Sequence, residues 1–81
     1  MSDDLRIASK RLVGAKQVLR GIEAGKVGYV YIARDADPFV TRPVMVACEK
    51  SGIRFEEAES MKTLGSICGI EVKAAVAALL K

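Results

Sequence analysis

Histidine and tryptophan are absent from the 81 residues, and the aromatic side chains amount to two Tyr and two Phe. Without histidine the commonest general base and metal ligand is missing, so acid–base or metal chemistry would need carboxylates and thiols alone. Cysteine is scarce as well. Cys48 and Cys68 lie far apart in apolar stretches, with no CxxC spacing; they read as buried reduced thiols, a disulfide or a reactive thiol being the alternative. No stretch approaches the roughly 20 apolar residues of a membrane helix. Met1-Ser2-Asp3-Asp4 is acidic and polar where a signal peptide would be basic and then apolar, so a cytoplasmic protein is expected. No block of like charge occurs, which excludes a polybasic tail that coats nucleic acid without specificity.

What is present is apolar and aliphatic. Apolar residues make up 51% of the chain and charged residues 28%, the composition of a folded domain with an Ala/Val/Ile/Leu core. A chain of 81 residues is too short for two independent cores, so residues 1–81 are expected to form one domain with its function on the surface. The formal net charge of +3 favours an anionic partner without demanding one.

The periodicity predicts alternating helices and strands. Leu5, Ala8 and Leu12 fall at i, i+3 and i+7, so a first short helix is expected from residue 3, capped by Asp3 or Asp4; Leu12-Val13 either ends it or begins a brief strand before Gly14. Residues 14–25 form the clearest helix, with Ala15, Val18, Leu19 and Ile22 on one stripe and Gly25 as its stop. Residues 27–33 are a nearly continuous β-branched and aromatic run, as expected of a central strand covered on both sides. Asp37-Pro38 has the form of an N-cap and first helical residue, for a helix running to Lys50 before Ser51-Gly52; Pro43 would be harmless only if the start lies nearer Thr41. A strand over 53–58, a short helix over 60–68 ended by Gly69, and a buried central strand over 74–80 complete the chain. The expected fold is α/β, a three-layer α/β/α sandwich around a small mixed sheet of about four strands.

Two segments could carry chemistry. The helix opening at Gly14 offers orphan backbone N–H groups and a positive dipole end, and a glycine there lets a phosphate approach. On that helix Lys16, Gln17 and Arg20 share a face, two cations for phosphates and an amide able to pair with a base edge; the plainer reading is a solvated face. In Leu64-Gly65-Ser66-Ile67-Cys68-Gly69-Ile70-Glu71-Val72, a short apolar helix leads into a loop whose Ile70 and Val72 either cover an unstacked base or merely plug the core.

Taken with Ala33-Arg34-Asp35-Ala36-Asp37-Pro38, these segments stand in the order and spacing of the kink-turn-binding ribosomal-protein family, which includes the archaeal protein written L-seven-Ae. The chain resembles that family over nearly its whole length, and its short bacterial members most. The resemblance implies a non-enzymatic RNA-binding protein. In the family, the helix after the glycine enters the widened major groove of a kinked helix-bulge-helix beside tandem sheared G·A pairs, and the loop of the last motif covers bases of the bulge. Carried over, Gly14 would give close backbone approach, Lys16 and Gln17 would meet the G·A edges, and Arg20 would hold phosphate. Ile70, Glu71 and Val72 would face the bulge with Lys73 beside them, and Asp37 would stand near the flipped nucleotide, although its cap role alone suffices to explain it. Many relatives carry Asn-Glu where this chain has Lys16-Gln17, so the base hydrogen bonds need not be the same.

The implied partner is a kink-turn-containing RNA, whether ribosomal RNA, a messenger leader or another noncoding RNA; association with the ribosome is one option, and neither a cofactor nor a membrane is implied. Two rivals stand beside this reading: a protein-interaction or assembly module on the same fold, and an enzyme that holds a phosphorylated substrate at the Gly14 terminus. The remaining carboxylates fit plainer roles. Glu56, Glu57 and Glu59 read as a solvated strand edge, and Asp35 with Asp37 lacks the further ligands a metal site needs.

Overall fold

The computed structural model describes residues 3–81. Two 3-10 turns, Asp3–Arg6 and Ala8–Lys10, lead into β1 (Arg11–Val13), followed by α1 (Ala15–Glu23), β2 (Val27–Ala33), α2 (Pro38–Ser51), β3 (Arg54–Ala58), α3 (Met61–Ile67) and β4 (Val76–Leu80). The strands form one mixed sheet in the order β1-β4-β2-β3. β4 is antiparallel to both β1 and β2, and β3 is parallel to β2.

The sheet divides the interior into two apolar layers. On one face Val18 and Ile22 of α1 and Val44 and Cys48 of α2 pack on Val30, Ile32, Val76 and Ala78. On the other, Leu64 and Cys68 join Leu5, Tyr31, Ala33, Ala58 and Ala77. Successive residues of β2 and β4 thus feed opposite layers, which is why their sequences are apolar without alternation. The parity of β2 is adjusted at Gly28, where the pairing with β4 shifts between Val27 and Tyr29, as a bulge does. The three-layer sandwich on four strands is therefore as expected, and β2 has the expected limits.

Two local expectations fail. No continuous helix runs from Asp3 toward Leu12; Ala8, assigned to its apolar stripe, is exposed. Arg11, Leu12 and Val13 pair with Leu79, Ala78 and Ala77, which is the brief strand before Gly14 that stood as the alternative, and strand pairing supplies backbone partners that a short isolated helix could not match. The second concerns Pro43. The helix starts at Pro38 and not near Thr41, because the Asp37 carboxylate accepts the Phe39 N–H at 2.9 Å, so Pro43 lies inside α2. Its missing N–H removes the i+4 partner of the Phe39 carbonyl, and Phe39 is 91% exposed, on the first turn of the helix, where water can reach.

Leu64 is fully buried where α3 meets the sheet, whereas Phe39 stands almost wholly in solvent. Leu64→Ala is expected to cost about 2 to 5 kcal/mol in denaturant unfolding. Phe39→Ala should stay within about 0.5 kcal/mol of the parent. Equal losses from the two substitutions would contradict the packing described here.

Candidate nucleic-acid interface

The sheet topology gathers the candidate segments at one edge. β1, β2 and β3 all run toward that edge and β4 starts from it, so it holds the N-termini of α1, α2 and α3 together with the segment 69–75. Backbone hydrogen bonds lace the connections: Gly14 N–H to the Val76 carbonyl at 2.8 Å, Ala33 to Ala75 at 2.8 Å, and Arg34 to Ala58 at 2.9 Å. The mouth of α1 and the loop before β4 are therefore neighbours, at the strand ends where ligands of α/β sheets are usually met.

Gly14 has φ +97°, a conformation L side chains avoid, and a Cβ built on it would meet nothing within 4 Å. The terminus is open, and glycine is required by the backbone as well as permitted by the space. Lys16, Gln17 and Arg20 are exposed on the flank of α1, while Val18 and Ile22 anchor its other side. No hydrogen bond or ion pair occupies these three side chains among the described residues.

The loop is attached to α3 at both ends. Ile70 donates its N–H to the Gly65 carbonyl at 3.1 Å, and Ala74 donates to Met61 at 3.0 Å. Within it Ile70 is half-buried against the layer of Leu64 and Cys68, whereas Val72 is 70% exposed and Glu71 and Lys73 face solvent. The two apolar residues thus divide the roles left open by the sequence: Ile70 packs on the core, and Val72 presents an apolar surface outward. Asp37, exposed at the same edge, keeps one carboxylate oxygen on the Phe39 N–H. Asp35 accepts the Met61 N–H at 2.8 Å and so ties the β2–α2 connection to the start of α3. No group of three or more ligating side chains is found among the described residues.

Three residues outside the expected set shape the interface. Gly65, inside α3, lies so close to the carbonyl of Val72 that a Cβ there would overlap it. The signal was a glycine interrupting a short apolar helix. Arg11 reaches from β1 to the Leu5 carbonyl at 2.9 Å and, more weakly, to the Cys68 carbonyl at 3.4 Å, bracing the exit of α3. Ser60 caps α3 by accepting the Thr63 N–H at 3.0 Å. The glutamates behave as a solvated edge: β3 is one of the two outer strands, and Glu57 faces Arg34 at 3.9 Å with both side chains largely exposed, an arrangement worth little to stability.

The cysteines are free and buried in different layers, Cys48 with α2 and Cys68 with α3, so the sheet separates them. Burial pushes both thiols above the ordinary cysteine range; the Glu49 carboxylate adds to this for Cys48, and the Arg11 guanidinium opposes it for Cys68. Such thiols are poor nucleophiles.

A fold of this topology, with an open glycine-led helix mouth beside an apolar-tipped loop, is that of a known family. Residues 3–81 match the ribosomal protein L7Ae/L30e/S12e/Gadd45 family, and the chain belongs to it. It is similar to an RNA-binding protein of Caldanaerobacter subterraneus, 49% identical over 69 residues that cover 85% of this chain and 84% of that one. It is also similar to the RNA-binding protein YbxF of Geobacillus stearothermophilus, 35% identical over 74 residues, 91% of this chain and 90% of that one. Among solved structures, the 15.5 kD RNA-binding protein of Giardia lamblia superposes with a TM-score of 0.89 at 30% identity, over 98% of this chain and 67% of that chain. The family resemblance carried by the three motifs is thus borne out, including the similarity to short bacterial members, and these relatives are RNA-binding proteins rather than enzymes.

Gly65→Ala tests the geometry that seats the loop. Alanine is the better helix former by about 1 kcal/mol, yet here the neighbour is backbone and cannot rotate away, so a net loss of about 1 to 3 kcal/mol is expected. Amide chemical-shift changes should concentrate in α3 and residues 70–74; an unchanged loop spectrum would show that the contact does not set its position.

Proposed function

We propose that the protein binds RNA and recognises a kink-turn, a helix-bulge-helix with sheared G·A pairs, stabilising the bend by binding it better than the extended form. One observation carries this reading: the Lys16/Gln17/Arg20 flank and the Ile70-Glu71-Val72-Lys73 loop share one sheet edge, in a chain of the L7Ae/L30e family. Gly14 gives the RNA backbone close approach to the helix mouth. Lys16 and Gln17 meet the G·A base edges, and Arg20 holds phosphate. Val72, with Glu71 and Lys73 beside it, covers a bulged base; Ile70 supports the loop from below. Asp37 stands at the rim, where its free carboxylate oxygen can accept from a flipped nucleotide.

Glutamine at position 17 offers both a donor and an acceptor without the charge of a glutamate, and Lys16 adds a cation. Together they move the balance of binding toward phosphate attraction. The natural ligand on this reading is a ribosomal, messenger-leader or other noncoding RNA of the cytoplasm.

Labelled kink-turn RNA and the same RNA with its G·A pairs replaced by Watson–Crick pairs, each titrated at several salt concentrations, test the proposal. The intact motif should bind more tightly, with log affinity falling against log salt at a slope of roughly −2 to −4, for about three to five phosphates at about 0.7 to 0.9 each. Equal affinity for the two RNAs would reduce the protein to a generic cation.

Point variants separate the two kinds of contact. Arg20→Ala should weaken binding to every RNA and flatten the salt slope. Gln17→Ala should instead narrow the gap between intact and disrupted RNA by about 1 to 3 kcal/mol. Identical behaviour of the two variants would overturn the division of roles within α1.

A further inference from the structure

α2 is apolar on more than one side. Its inner stripe, Thr41, Val44 and Cys48, is buried at i, i+3 and i+7. Phe39, Pro43, Val46 and Ala47 fall at i, i+4, i+7 and i+8 and form a second stripe outside the core, where Phe39 is 91% and Val46 44% exposed. A helix that is apolar on two sides is ordinarily buried on both. Between this second stripe and the end of α1, at Ile22, opens a groove of about 740 Å³.

The two walls of the groove differ in charge. Glu23 stands on the α1 side and Arg42 and Lys50 on the α2 side; all three are exposed, and none has an ion pair among the described residues. The surface therefore carries a projecting ring beside an apolar hollow, and a free carboxylate beside free cations. Each feature finds its complement within the same patch, which is what an interface about a two-fold axis requires. A nucleic acid would be repelled by Glu23 and would leave the hollow empty. A peptide of one charge would meet one wall well and the other badly.

We infer that this groove docks a second copy of the chain: two α2 helices lie antiparallel across a two-fold axis, and the Phe39 ring of each fills the hollow between Ile22 and Ala47 of the other. The register follows from the fold. α1 and α2 both start at the edge reached by β1 and β2 and pack on the same layer, so Ile22 and Glu23, at the end of α1, stand level with the second half of α2. Reversing one α2 against the other brings the partner's Phe39 and Arg42 to that level, which sets Arg42 of each copy against Glu23 of the other. The stripe from Phe39 to Ala47 runs about 12 Å along the helix. The interface is accordingly small, of the transient class that buries less than about 1,200 Å². It leaves the proposed RNA contacts free, since Gln17 and Arg20 lie on the other flank of α1 and the two-fold turns the two sheet edges away from each other.

Sedimentation equilibrium of the full chain tests this, with melting curves at dilutions where the parent is a single chain to establish that every variant folds. The parent should rise from one chain toward two as its concentration is raised from about 10 μM to about 1 mM. Phe39→Ala should remain single throughout, whereas Ile7→Ala, at an exposed apolar residue outside the groove, should associate as the parent does. Glu23→Arg and Arg42→Glu should each weaken self-association by about tenfold or more, because like charges then meet at both ends of the pair. An equimolar mixture of those two variants should recover it, each supplying the charge that the other lacks. A parent that stays single, a Phe39→Ala chain that associates like the parent, or a mixture no tighter than its two components overturns the inference. If kink-turn RNA instead shifts the amides of Phe39 and Val46 in a chain that stays single, the groove belongs to RNA and the inference falls.

Discussion

β4 runs against both of its neighbours in the sheet, and that antiparallel insertion governs the rest of the structure. A strand wedged between β1 and β2 in the opposite sense must begin where they end. The segment that feeds it is therefore delivered to the edge occupied by the helix mouths. The bond from the Gly14 N–H to the Val76 carbonyl fixes the meeting point, and the bond from Ala33 to Ala75 repeats it one strand away. Had β4 been parallel, its entry would lie at the far side of the sheet and the loop could not stand beside α1. The juxtaposition is a matter of topology first and of side chains second.

Much of the fold was legible because its signals are local. The Ala15, Val18, Leu19, Ile22 stripe, the β-branched run of β2 and the Asp37-Pro38 cap each depend on neighbours in sequence, and each lies within a residue of its expected place. The N-terminal segment was legible only as two alternatives, a helix running to Leu12 or a brief strand at Leu12-Val13, because its outcome is decided elsewhere: Arg11–Val13 become a strand only when residues 77–79 come alongside. Pro43 misled for a related reason, since a helix interior can hold a proline where the orphaned carbonyl belongs to a solvated turn.

The interface divides in the same way. A shared flank for Lys16, Gln17 and Arg20 follows from helical spacing alone. The family resemblance put the two segments into one surface, a step that spacing could not supply. What stayed hidden are the supports. Arg11 reaches a carbonyl 57 positions away, and the demand on Gly65 arises from a loop carbonyl that sequence does not locate. Asp35, set aside as a metal ligand for want of companions, joins two connections by a single hydrogen bond whose donor, the Met61 N–H, lies 26 positions away.

The partition of the interior by the sheet has a mechanical consequence. α1 is seated on one hydrophobic layer and α3, with its loop, on the other, so the two candidate contact surfaces are mounted on opposite sides of a common plate. Each surface thus takes its footing from its own set of core side chains, while the four strands between them, and Ala75, which packs against both layers, hold the two in common reference.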